Sequence, residues 1–145
     1  MAVTAKQAAD IRTQTRAGGT WGNLNFELFD IVFGNGDDAT STYDATIFKA
    51  GTLLVDATIW IDDGAVATST IDVGVKSVSG TNQDSANYFF ASLDAVTLAQ
   101  TRKTANNAPL LLAQDMYLRS TIKVANQNAS FHAYLGVTYV YKGNL

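Results

Sequence analysis

Leu53 to Asp62 reads Leu-Leu-Val-Asp-Ala-Thr-Ile-Trp-Ile-Asp, so that Leu53, Val55, Ala57, Ile59 and Ile61 alternate with Leu54, Asp56, Thr58, Trp60 and Asp62. A period of two is the spacing of a strand with one dry face and leaves no room for a helix here. Asp62-Asp63-Gly64 follows as a turn signal, and Ile71 to Ser79 repeats the alternation with Ile71, Val73 and Val75 on one face. The two runs predict neighbouring antiparallel strands.

The same texture extends along the chain. Asn25 to Phe33 is dense in aromatic and branched residues and carries apolar side chains on both faces, as in a strand covered on both sides or set at a subunit contact. Gly34 to Asp38 is a loop, and Tyr43 to Phe48 resumes extended structure. Gly80 to Asn87 is polar and leads into Tyr88-Phe89-Phe90, an aromatic cluster expected to plug one end of the core on a short helical turn. Thr101 to Asn107 is a polar loop ended by Pro109, the only proline. Tyr117 to Val124 places Leu118, Ile122 and Val124 on one face, and Phe131 to Tyr141 is the last strand. Seven or eight strands separated by turn signals predict an all-β, antiparallel sandwich; linkers this short and polar exclude a parallel α/β sheet.

Two parts are expected: an N-terminal arm over 1–20 and a sandwich domain over 21–145. Thr4 to Arg16 can form a short helix, with Thr4 and Gln7 at capping-box spacing and Gly18-Gly19 as the stop, but its apolar residues are mostly alanine and bury little. Charge divides in the same way. Through Arg16 the chain carries Lys6, Arg12 and Arg16 against Asp10, a net +2, and the remainder is net −5. An overall net charge of −3 argues against a nucleic-acid partner. No apolar run approaches the roughly 18 residues of a membrane span, and Lys6, Gln7 and Asp10 interrupt any signal-peptide core. Synthesis in the cytoplasm is expected. With no cysteine, neither disulfides nor thiolate metal sites contribute, while a chain of 145 residues still buries roughly 68–70% of its unfolded surface.

No cluster amounts to a catalytic signature. Gly34-Asn35-Gly36-Asp37-Asp38-Ala39 fits G-x-G-x-x-A, but two aspartates repel a pyrophosphate and no helix opens after it. His132 is the only histidine, on a strand with Tyr134 on the same face and no serine nucleophile motif to serve; a structural role on an outward or interfacial face is expected. Asp62-Asp63 with Asp72, or Asp37-Asp38 with Asp44, could gather a hard cation, although neither has calcium-loop spacing and turn aspartates are explained by backbone hydrogen bonding. Glu27 is the only glutamate, which leaves a paired-carboxylate glycosidase unsupported. Asn128-Ala129-Ser130 is a glycosylation sequon expected to stay unmodified. Trp60, opposite the core residues and beside Leu54, meets a second layer, another molecule or a sugar. No enzymatic activity, cofactor or metal is expected.

The paired alternating runs from Leu53 to Val78, the polar loop after Ser79-Gly80, the segment Asn87 to Asp94 and the closing aromatic strand Phe131 to Tyr141 resemble the body of small virion proteins of tailed bacteriophages, of the capsid cement or decoration type. The likeness spans about Trp21 to Leu145 and is one of texture: few charges, many Ala, Thr, Ser and Asn, almost no Glu or Pro. It implies a jelly-roll-like sandwich, a homotrimer at three-fold positions on the capsid surface, and the major capsid protein as partner, with no nucleic acid or membrane involved. No site residue carries over from the likeness, which has no shared motif; from the chain's own pattern the basic arm with Lys6, Arg12 and Arg16, otherwise a solvated tail, is expected to bind the capsid, and strand faces including Phe29, Phe33 and Trp60 are expected to form the subunit interface. The rival is a carbohydrate-binding jelly roll of a phage tail or fibre, or an accessory module, stacking sugars on Trp60, Trp21 or Tyr88.

Overall fold

The computed structural model of the chain describes residues 3–7, 15–16, 24–105 and 107–143, and within them every regular element is a strand. In chain order these are β1 (Ala5–Gln7), β2 (Thr15–Arg16), β3 (Leu24–Phe33), β4 (Thr42–Phe48), β5 (Thr52–Asp63), β6 (Thr70–Ser77), β7 (Ser85–Asp94), β8 (Gln100–Arg102), β9 (Leu110–Leu111), β10 (Met116–Lys123) and β11 (Phe131–Tyr141). They form a six-stranded sheet in the order β1-β4-β10-β6-β7, with β2 also on β4, and a five-stranded sheet in the order β3-β11-β5-β8, with β9 also on β5. The body is antiparallel throughout; only β1 and β2 run parallel to their neighbour. The architecture is a jelly-roll-like β-sandwich.

The core lies between the sheets and is filled by the dry faces the sequence announces. Phe29, Ile31 and Phe33 of β3, Ala57, Ile59 and Ile61 of β5, and Leu135, Val137 and Tyr139 of β11 face Phe48, Ile71, Val73, Val75, Leu118 and Ile122 of the other sheet, all of them buried. Phe48 stands at the centre of one end, its ring edge-on to Phe29 at 6.0 Å and to Tyr139 at 5.1 Å. Each such aromatic pair adds about 0.5–1.5 kcal/mol beyond simple burial.

The two landmark strands are not neighbours. β5 pairs with β11 and β6 with β10, in different sheets, so the segment after Asp63 crosses the end of the sandwich instead of turning a hairpin. Alternation says only that a strand has a dry face, and two dry faces are satisfied equally by lying side by side or by meeting across a core. The crossing is held by Gln127, which is fully buried: its Oε1 accepts from Val66 N at 3.1 Å, and its Nε2 donates to Ser69 Oγ at 3.0 Å and to the Ala125 carbonyl at 2.9 Å. The dry face of β5 also changes side. A register shift between Thr138 and Tyr139 places a bulge at Val55, so Leu54 points inward with Ala57, Ile59 and Ile61, while Leu53 and Val55 do not.

Three further expectations are corrected. Tyr88, Phe89 and Phe90 lie on a strand and not a helical turn, all three buried in succession. Here β7 leaves its ladder: Val73 pairs with Phe90 and Val75 with Ser85, so residues 86–89 of β7 bow out against the single Gly74 of β6. Gly74 permits this crossing, since a Cβ on it would stand 1.9 Å from the Ser85 carbonyl oxygen. Val124 falls past the end of β10, exposed and at φ 79°, not on the buried face of Leu118 and Ile122. In the arm, Ala5–Gln7 and Thr15–Arg16 are extended and pair with Thr42–Asp44 and Ile47–Phe48 of β4, so the helix over Thr4 to Arg16 does not form there; residues 8–14 lie outside the described residues. The edge of β4 offers these segments a ladder to join, whereas a lone, short, alanine-rich helix has too little apolar surface to bury to offset its nucleation.

Candidate interaction surfaces

The outward faces of the two sheets differ in kind. On the six-stranded sheet β10 and β6 turn polar residues outward, and these are tied in ion pairs. The Arg119 guanidinium is bidentate to Asp44, with Nε at 2.6 Å from Oδ1 and Nη2 at 2.8 Å from Oδ2. Lys123 Nζ lies 3.0 Å from Asp72 Oδ2, and Lys76 pairs with Asp84. Asp44 is 2% exposed. Burial would weaken the Arg119 charge, but its hydrogen bonds to Asp44 outweigh this and raise its pKa.

The five-stranded sheet presents an apolar stripe. Leu24, Phe26 and Leu28 alternate along the outward side of β3 and are 67%, 55% and 57% exposed, with Val32 further along and Tyr134 on the neighbouring strand also exposed. Gly136 sits between them on β11. A Cβ there would stand 2.4 Å from Phe26 Cζ and 3.0 Å from Trp60 Cζ3, so the two rings close over the glycine. This is the face on which Trp60 was expected, half-buried by Phe26 and not standing free. Apolar rows this continuous are uncommon on the surface of a lone protein.

At the far end of the stripe His132 bridges two strands. Its Nδ1 lies 2.5 Å from Asp62 Oδ1 on β5 and its Nε2 3.0 Å from Asp30 Oδ1 on β3, while the Tyr134 ring packs edge-on at 4.7 Å. Partial burial disfavours the imidazolium, but hydrogen bonds and charge from Asp62 and Asp30 prevail and raise the His132 pKa above its ordinary 6.5. The histidine is an electrostatic clasp across β3, β11 and β5, and no group of three or more acidic or histidine side chains arranged to hold a metal ion is found among the described residues.

The sequence-derived site residues are distributed as follows. Phe29 and Phe33 are 7% and 0% exposed and lie in the chain's own core, where Phe33 packs on Phe131 and Tyr43; their side chains have no surface left for a second copy. The exposed apolar residues of the same strand are Leu24, Phe26 and Leu28, on its opposite side. Lys6 and Arg16 belong to β1 and β2 along the β4 edge, whereas Arg12 and Trp21 lie outside the described residues. Tyr88 is 5% exposed, and its hydroxyl donates to the Ala108 carbonyl, which removes it as a sugar platform. Asp72 and Asp44 are held in ion pairs by Lys123 and Arg119. A shallow groove of about 450 Å³ beside β8 is lined by Asp56, Arg102, Lys103 and Asn107. Its charges are already engaged, Arg102 Nε with Asp56 at 2.7 Å and Lys103 Nζ with the Asn107 carbonyl at 2.6 Å.

No protein-family model matches the sequence, and no curated protein does. The fold does have solved counterparts. A chain in the capsid of Ralstonia phage GP4 superposes with a TM-score of 0.72 at 19% identity, over 98% of this chain and 100% of that one. A chain of the cyanophage Pam1 capsid asymmetric unit gives 0.62 at 19% identity over 92% and 95%. One in the acidic stable capsid of Helicobacter pylori bacteriophage KHP30 gives 0.54 at 20% identity over 81% and 89%. At these identities the likeness is one of fold, and it covers from 81% to 98% of this chain.

Proposed function

We propose that this chain is a structural capsid protein of the cement or decoration type in a tailed bacteriophage: a homotrimer that seats on the outer surface of the major capsid protein lattice and ties neighbouring subunits together. The observation that carries the reading is the end-to-end match, 98% of this chain on 100% of a chain in a phage capsid, which leaves little of either molecule outside the shared sandwich. The rest of the surface supports it. A stiff two-sheet body with one ion-paired face and one apolar face suits mechanical bracing. Residues 1–20 serve as the binding arm of the 21–145 body, with Lys6, Arg12 and Arg16 seeking an acidic shell surface.

The test is addition of purified protein to shells of the cognate particle that lack it. Saturable binding at a fixed ratio to the major capsid protein, with a raised thermal midpoint of the shell, is expected. Deleting Met1 to Gly19 should leave a folded oligomer that no longer binds. Undiminished binding by the truncated chain would remove the arm from the mechanism, and absence of binding by the full chain would remove the function.

A further inference from the structure

We propose that the outer face of the five-stranded sheet along β3, where Leu24, Phe26 and Leu28 stand in a row beside Trp60 and Tyr134, is the surface through which copies of this chain pack on one another. This deepens the reading of the chain as a self-associating shell protein and rests on it, but it moves the contact from Phe29 and Phe33 to the opposite side of the same strand.

Area is the first argument. Leu24, Phe26, Leu28, Val32 and Tyr134 are 67%, 55%, 57%, 39% and 42% exposed. Full side chains of these sizes span about 150–250 Å², so together they leave roughly 500 Å² of apolar surface in water. That is at the upper end of the ~300–600 Å² found as the largest patch on a lone protein, and well over half of the ~800 Å² per partner that a stable interface buries.

Charge decides between a second copy and a different protein. Copies related by rotation bring a surface near the axis against its own equivalents, so a charge there meets a like charge. Positions 24, 26 and 28 carry none, and the next outward residue, Asp30, is engaged by His132 at 3.0 Å. A surface built to find a different partner gains from unpaired charge that steers the encounter, and this stripe has none. Permanent contacts between like subunits also have the more apolar centres. A protein that joins a shell after folding must stay soluble beforehand, and a stripe already closed by its own copies is never left open in that interval.

The experiment is sedimentation of the full chain, F26D/L28D, F26S/L28S and the control L98D, whose site is 62% exposed just before β8, the strand at the opposite edge of the sheet from β3, with far-UV circular dichroism on each and shell addition run in parallel. The wild type and L98D are expected to be oligomers at micromolar concentration. F26D/L28D should keep the β spectrum and self-associate about 1,000-fold more weakly, as for loss of two central contacts, and so run as a 15.5 kDa monomer. The serine pair is the milder version, keeping the test open if the aspartates impair folding. An unchanged oligomer in both stripe variants overturns the proposal, as does a monomeric wild type. Stripe variants that stay oligomeric but lose shells would place the shell on this face, overturning the proposal while keeping the cement function. Stripe-dependent oligomers that bind no shell would uphold the proposal and reject that function.

Discussion

Replacing Gly74 with alanine should be the most damaging single-methyl change in the sandwich. The new Cβ would lie 1.9 Å from the Ser85 carbonyl oxygen and 2.6 Å from the Ala86 carbonyl carbon. An ordinary carbon to oxygen contact is about 3.3 Å, so the β7 backbone would have to retreat by roughly 1.4 Å. No rotamer change can relieve this, because the obstructing atoms are main chain and β7 is anchored on both sides, by Phe89 and Phe90 in the core and by Ser77 N donating to Asp84 Oδ1 at 2.6 Å. Overpacking of this kind costs about 3 kcal/mol, offset by about 0.5 kcal/mol from restricting the unfolded chain, for a net loss of about 2.5 kcal/mol. With 145 residues at ~2.1 cal/mol/K each, the unfolding entropy is about 0.3 kcal/mol/K, and the melting midpoint should fall by about 8 °C. Scanning calorimetry at matched protein concentration measures it. The comparison variant is Gly136→Ala, where the Cβ meets the tip of the exposed Phe26 ring, which can swing away, so that about 1 kcal/mol or less is expected. A G74A midpoint within 2 °C of wild type, or a larger fall in G136A, would refute the backbone-crossing explanation of β7.

The remaining expectations concern separate features. Arg119→Ala should lower stability by about 3 kcal/mol in denaturant titration, because it leaves Asp44 buried and unpaired; Arg119→Lys should recover part of this, being unable to reproduce the bidentate contact. Gln127→Ala should cost about 2–3 kcal/mol by stripping three hydrogen bonds from the crossing segment, with hydrogen exchange rising first at Val66. Val124→Asn should stabilise by about 1 kcal/mol, read as a higher denaturant midpoint, since a β-branched residue at φ 79° is strained where asparagine is tolerated. His132 faces Asp30 on β3 and Asp62 on β5, with Asp63 opposite it in register and Tyr134 alongside. Its raised pKa means the imidazolium is bound more tightly in the folded state, so this stabilisation is full below the unfolded value near 6.5 and disappears as pH rises through the folded value. Midpoints measured from pH 5.5 to 8.5 should decline in the wild type more than in His132→Asn.

What could be read from residues was the local geometry. Alternation along Leu53 to Asp62, Ile71 to Ser77 and Phe131 to Tyr141 defines the strands and most of the dry faces, because period two is enforced by the pleat itself. It does not say which strand lies beside which, and so β5 and β6 look like a hairpin when the core in fact separates them. Nor does it register a bulge: one added residue at Val55 reverses the inside and outside of everything before it. The apolar residues on both faces of Asn25 to Phe33 are legible as a strand either covered on both sides or set at a subunit contact, without a choice between the two. Which face is closed by the protomer and which is left open depends on where the other sheet lies, a long-range fact that placed Phe29 and Phe33 inside and Phe26 and Leu28 outside. The arm misled for a related reason. Its helix signals at Thr4 and Gln7 are local and weak, and pairing with the β4 edge overrides them where Ala5–Gln7 and Thr15–Arg16 are described.

The most direct measurement is an image reconstruction of the native virion at a resolution that traces this chain. Expected is the sandwich as a trimer on the outer surface at three-fold positions, arms in contact with the major capsid protein and the Phe26–Leu28 stripes turned toward one another. Density for the chain only in the tail, or single copies with that stripe facing solvent, would contradict it.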